Sequence, residues 1–231
     1  MPKIPVGQIK LELDSVIATA TRLEPRLALR LQWFSRWIND KKIGLLTKKP
    51  LVIDVLNELI LDAKIWLLIK DSKQRSEFLQ EATPTEQYWY VTLYPAWFGQ
   101  KDPKMSTWTK KLMSEQFPKS DQELVEQFIE EIHSQDGTSF FNYILDLAMA
   151  TDLLLSGSQN KPLSLQLTTN APSLLERKQT DWEKTLRSWG IVRGALLSYD
   201  PRHSISKSVS SLLLQSDSLS EGCYIVVNST R

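Results

Sequence analysis

Cysteine is almost missing from this chain: Cys223 stands alone, which excludes an internal disulfide and any zinc site built from several thiolates. Histidine is nearly as scarce, and His133 and His203 lie too far apart in sequence to suggest a zinc centre. Charge of one sign is missing too. The 28 Lys and Arg face 27 Asp and Glu, a formal net charge of +1. No global field then draws the chain to nucleic acid or anionic lipid, and any attraction must come from local patches. The greasiest stretch, Leu51 to Ile69, carries Asp54, Glu58, Asp62 and Lys64. That charge density disqualifies a membrane span and predicts a buried helix. There is no Gly-Lys-Ser/Thr phosphate loop, no activated Ser or Cys motif and no fixed-period repeat. The first residues lack a basic segment followed by an apolar core, so the expectation is a cytoplasmic protein without membrane contact.

What is present is 231 residues of ordinary globular composition, enough for one large domain or two small ones around a substantial core. The expected fold is mixed α/β: a mainly helical region over residues 1–118, then an α/β core over 119–231. In the first region Leu27, Leu31, Phe34 and Ile38 recur at helical spacing after a break at Pro25. Pro50 suits the first turn of the Leu51–Ile69 helix. The aromatic segment between Ala82 and Pro118 is looser, with a strand expected over Trp89–Leu93.

In the second region a helix carrying Leu124, Phe128 and Ile132 stops near Gly137. "TSFFNYILDLAMA" reads as a further helix from Phe140 through Ile144 to Leu147. A buried strand at Leu153–Leu155, a polar turn and an alternating strand at Leu163–Thr168 follow. The next helix carries Leu175, Trp182, Leu186 and Trp189, with Pro172 in its first turn and Gly190 past its end. A strand around Ile191–Tyr199, a short helix from Ile205 to Leu213 and a strand from Cys223 to Asn228 close the chain. Cys223 is expected to be a buried thiol.

The alternating strand turns Leu163, Leu165 and Leu167 to one face and Ser164, Gln166 and Thr168 to the other. Gln166 and Thr168 thus project together, about 7 Å apart. If this strand pairs with Leu153–Leu155, Asp152 shares their end of the sheet. One carboxylate and one amide oxygen there can hold a Mg²⁺ whose other positions are waters and phosphate oxygens. Such an ion activates water and neutralises charge developing on a phosphodiester.

On these residues the segment from Thr138 to Tyr199, roughly a quarter of the chain, resembles the core of the PD-(D/E)XK, or restriction-endonuclease-like, nuclease superfamily. That core has a helix, an Asp-bearing strand, a strand with Glu-x-Lys, a helix and a further strand. The resemblance implies that Asp152 takes the place of the family Asp and Gln166 that of the Glu, both as Mg²⁺ ligands. Thr168 stands where the family has Lys and cannot supply its charge. Lys178 on the next helix is the stand-in: at 100° per residue it lies about 40° from Trp182, whereas Lys184 lies roughly 160° away. The family's leading helix often carries a Glu after an aromatic. Here Phe141 and Asn142 stand there, with Asp146 one turn later, and no strand is predicted between that helix and Asp152.

The implied function is a nuclease-fold protein that binds or processes DNA or RNA, either as a Mg²⁺-dependent phosphodiesterase or as a pseudo-enzyme. The alternative is a non-catalytic interaction module, or a subunit of a larger assembly, that docks a protein partner through its helical N-terminal half. Each site residue also has a plainer role. Asp152 can cap a strand end, Gln166 and Thr168 can form the polar face of a half-exposed strand, and Lys178 can lie along apolar surface with its head in water.

Overall fold

Pro25 and Pro50 each open a helix, because a residue with fixed φ and no N–H fits a first turn that needs no intrahelical donor. A computed structural model describes residues 3–39, 41–114, 119–168, 175–200 and 202–228, the stretch 119–121 through its backbone alone. In chain order come α1 (Ile9–Leu23), α2 (Pro25–Asn39), α3 (Ile43–Leu46), α4 (Pro50–Leu68), α5 (Ser72–Glu81) and α6 (Pro84–Tyr88). A π-helical turn at Trp89–Leu93, α7 (Tyr94–Gly99), α8 (Met105–Ser114) and α9 (Lys119–Ser134) follow. Next are β1 (Thr138–Phe140), α10 (Tyr143–Met149), β2 (Leu153–Ser156) and β3 (Leu163–Thr168). Last come α11 (Leu175–Ser188), β4 (Gly194–Ser198), α12 (Ile205–Ser218) and β5 (Tyr224–Asn228). Pro172 lies outside the described residues.

The chain divides into two compact units, Met1–Ala82 with Tyr94–Phe117, and Thr83–Leu93 with Pro118–Arg231. The first is helical. Its α1 buries Ile9, Leu13, Val16 and Ala20, and its α2 buries Leu27, Leu31, Phe34 and Ile38, the three-to-four spacing of a single helix face. α4 buries Val52, Leu56, Leu59 and Ile60. Among the described residues no helix is long and apolar enough to cross a membrane. Arg30 joins two helices of this unit: its guanidinium lies 4.9 Å from the Trp97 ring centroid and donates to the Trp97 carbonyl at 2.7 Å.

The second unit contains a five-stranded mixed sheet in the order β1-β2-β3-β4-β5. β1, β2 and β3 are antiparallel neighbours, and β3, β4 and β5 run parallel. One face carries Leu153, Leu155, Leu163, Leu165, Ala195 and Leu197 against Phe128 and Ile132 of α9 and Val209 and Leu212 of α12. α11 covers the other face, where a Cβ on Gly194 would lie 2.6 Å from Leu186 and 2.9 Å from Trp182. The sheet therefore sits between two helical layers.

Three expectations are corrected. Trp89–Leu93 is helical, not a strand. Thr83 and Glu86 form a reciprocal capping box with Pro84 in the first turn, a start signal that outweighs the β-propensity of the residues after it. Trp89, Tyr90 and Leu93 are buried, and Trp89 packs 6.0 Å from Phe140 of β1.

The helix expected from Phe140 to Leu147 is two elements. Ser139 pairs with Leu155 in β1 and β2. α10 starts after Asn142, whose side chain accepts the Ile144 N–H at 2.8 Å as an N-cap should. Cys223, finally, is exposed and precedes β5. It follows the turn at Gly222, whose φ is 80°, and meets the sheet through its carbonyl, which accepts the Gly194 N–H at 3.3 Å.

Candidate functional site

β2 and β3 pair with Leu153 opposite Leu165 and Leu154 opposite Ser164. Continuing that register by one residue sets Asp152 opposite Gln166, and directly opposed residues project to the same side of a sheet. The two side chains meet: Gln166 Nε2 donates to Asp152 Oδ2 at 2.6 Å. The same oxygen accepts the backbone N–H of Leu167, also at 2.6 Å. Asp152 thus does close the strand end. Both of these bonds fall on Oδ2; among the described residues neither involves Oδ1.

Loss of water around Asp152 pushes its pKa up, and the charge of Asp146 on α10 adds to that. The Leu167 N–H, Lys178 on α11 and the Gln166 amide pull the other way. Burial and like charge prevail, raising the carboxyl to about 8, so it carries its proton at neutral pH.

Backbone acceptors set the approach of α10 and α11. Ala150 ends α10 in the left-handed region at φ 53°, a conformation that costs a non-glycine residue roughly 1–2 kcal/mol. Its carbonyl accepts the Trp182 Nε1–H at 3.1 Å, and the Ala148 carbonyl accepts that of Trp189 at 3.0 Å. Both indoles belong to the buried face, as expected of core tryptophans. The hydroxyls of Thr151 and Ser164, buried and 2.6 Å apart, tie the same turn to β3. Lys178 lies one turn ahead of Trp182 and is half-buried, while Lys184 is exposed. This is the difference that helical geometry predicts.

Asp152 and Gln166 are therefore in contact, and the charge of Lys178 acts on the same carboxyl. Thr168 lies farther along the same side of β3, opposite Ser198, and is 5% exposed. The half-exposed polar face expected there is covered by α11, so Ser164 and Thr168 are buried and Gln166 partly so.

Asp146 is the member that motif spacing left out of the ligand set. Its signal was local: Asn142 caps α10, which places Asp146 in the first turn of that helix. Among the described residues no group of three or more His, Cys, Asp and Glu is placed to hold a metal. A Mg²⁺ here would rely on Asp152, with Asp146 and the Gln166 amide oxygen nearby. One or two carboxylates with water and substrate oxygens is a coordination Mg²⁺ accepts. The aromatic run offers no comparable site, since Trp89, Tyr90, Tyr94 and Trp97 are buried.

Comparison with family models, with curated proteins and with solved structures gives no match.

Proposed function

We propose that the second unit is a restriction-endonuclease-like module that acts on nucleic acid, with Asp152, Gln166 and Lys178 at its centre. The observation that carries this is the Asp152–Gln166 contact at a strand end, with a lysine and a second acid acting on the same carboxyl. The order of elements supports it. α9 precedes β1, β2 and β3, and α11 then leads to β4, so β1 takes the place of the strand missing from the predicted series. α10 becomes an insertion that delivers Asp146.

A bound Mg²⁺ would supply an activated water and offset charge on a phosphodiester. Asp152 would hold it through Oδ1 after giving up its proton, and Asp146 would add a second negative charge. Gln166 orients the Asp152 carboxyl, and Lys178 supplies the positive charge that Thr168 lacks.

Asp152→Asn is the informative variant, because an amide oxygen can still accept the Leu167 N–H. With Mg²⁺ or Mn²⁺, the wild-type chain is expected to cleave labelled DNA or RNA, and the variant to lose more than about 100-fold of that rate. Equal cleavage by the variant would end the catalytic claim. A wild-type chain that binds strands without cutting them is a pseudo-enzyme; one that does neither contradicts the proposal.

A second role has its own observation. A protein partner docked on the helical unit would meet Leu11 and Leu29 on α1 and α2, which are 71% and 64% exposed. Substituting both with Glu should release such a partner without affecting nucleic-acid binding.

A further inference from the structure

α10 reaches β2 through a turn that is unfavourable by itself. Ala150 ends α10 at φ 53° and ψ 48°, the left-handed position where a helix ordinarily places glycine. The end of a helix also leaves its last carbonyls without intrahelical donors. Two of them are met from α11, Ala148 by the Trp189 indole N–H and Ala150 by that of Trp182. The chain beyond the turn is anchored to the sheet. Thr151 and Ser164 of β3 share their hydroxyl contact, and the Asp152 N–H donates to the Leu165 carbonyl at 2.8 Å.

The Trp182 bond is the tie on the strained residue itself, since Ala148 still lies within α10. The indole that makes it is well fixed. Trp182 is buried and meets the Tyr224 ring edge-on at 6.1 Å. A Cβ on Gly194 would lie within 2.9 Å of its ring. A donor so constrained holds the Ala150 carbonyl in one direction, and that direction belongs to the left-handed turn.

The turn separates two acids. Asp146 belongs to α10 and Asp152 stands just ahead of β2. Asp152 is oriented from the sheet side, by the Leu167 N–H and the Gln166 amide, so the approach of α10 governs how near Asp146 comes. If Ala150 relaxed out of the left-handed region, α10 would swing relative to β2. Lys178 lies one turn ahead of Trp182 on α11, so a single helix carries both the tie and the lysine.

We infer that Trp182 is a positioning residue: by holding the Ala150 carbonyl, its indole N–H keeps the α10–β2 turn left-handed and sets the separation of Asp146 and Asp152. The consequence for a divalent cation at these acids rests on the nuclease-like reading above; the hold on the turn does not.

Trp182→Phe keeps an aromatic ring and deletes the N–H. Amide hydrogen exchange of the full chain, followed by NMR without metal, reads the turn at the Thr151 and Asp152 N–H groups, which donate to the Leu145 and Leu165 carbonyls. Both should exchange more than about fivefold faster in the variant, the loss of one hydrogen bond to a buried acceptor, while the core amides of α9 and α12 change less. Glycine takes the left-handed conformation without strain, so Trp182→Phe/Ala150→Gly should return both rates to within about threefold of wild type. Ala150→Gly alone, which keeps the indole, should slow them by about fivefold and tests the hold even if Trp182→Phe does not fold. Calorimetric affinity for Mn²⁺ should weaken more than about tenfold in Trp182→Phe and recover in the double variant.

Unchanged exchange in Trp182→Phe, equal acceleration throughout the core, no rescue by Ala150→Gly, or faster exchange in Ala150→Gly alone each overturns the hold on the turn. Restored exchange without restored Mn²⁺ affinity overturns its role at the two acids. A wild-type chain that takes up no Mn²⁺ removes the cation reading, and the metal-free exchange rates still decide the hold on the turn.

Discussion

Asp152 keeps a proton that an aspartate in water would lose. An unfolded aspartate ionises near pH 4, whereas the folded one is raised to about 8 by burial and the Asp146 charge. Between those values only the folded chain is protonated here. Stability therefore falls as pH rises through that window, and the contribution is gone above it. The urea midpoint of the wild-type chain should drop between about pH 5 and about pH 8, and that of Asp152→Asn, which cannot ionise, should drop less. Parallel profiles would mean that Asp152 is ionised throughout.

Arg193 is the opposite case, a buried cation that donates from each of its three side-chain nitrogens. Its guanidinium donates to the carbonyls of Leu219 at 3.0 Å, Pro162 at 3.2 Å and Ser216, tying the end of α12 to the start of β3. Arg193→Ala should cost about 2–4 kcal/mol in chemical denaturation, since buried acceptors lose a charged donor. Arg193→Lys should recover only part of that, because a point charge cannot match the planar fork. A loss under about 1 kcal/mol would contradict this role.

Among the elements, α11 has the tightest constraint. It packs so closely on β4 that Gly194 has no room for a methyl group. Gly194→Ala should cost about 1–3 kcal/mol through overpacking, and by lifting α11 it should weaken Lys178's hold on Asp152. Gly190→Ala makes the contrast: its φ is 72° with open space around it, so only the roughly 1–2 kcal/mol of a left-handed alanine is expected. Equal effects of the two on any metal-dependent activity would remove α11 from the account.

The elements legible in the sequence are those written in local chemistry. Pro25, Pro50 and Gly190 punctuate helices, and the Leu163–Thr168 alternation marks a strand whose partner and register follow. What was hidden depends on remote partners. β1 has only three residues and exists because Leu154, Leu155 and Ser156 lie beside it; periodicity over Phe140, Ile144 and Leu147 reads through it as helix. Trp89–Leu93 differs: its run of β-favouring residues reads as a strand, and the helix follows instead from the Thr83–Glu86 capping box just ahead of it. The site divides the same way. Asp152 and Gln166 follow from register, whereas the reach of Asp146 depends on α10 starting at Asn142.

At the scale of the molecule, each unit has its own core, and the polar constellation lies wholly within the second. The first unit presents exposed leucines, among them Leu11 and Leu29. The central claim is that the Asp152 carboxyl is a proton-bearing seat for a divalent cation and not only a strand-end cap. Calorimetric titration of the full chain with MnCl₂ near pH 7, in two buffers of different ionisation enthalpy, tests this directly. Saturable binding is expected that releases close to one proton per ion and disappears in Asp152→Asn. Absence of saturable binding, or binding that is the same in the variant and releases no proton, would contradict it.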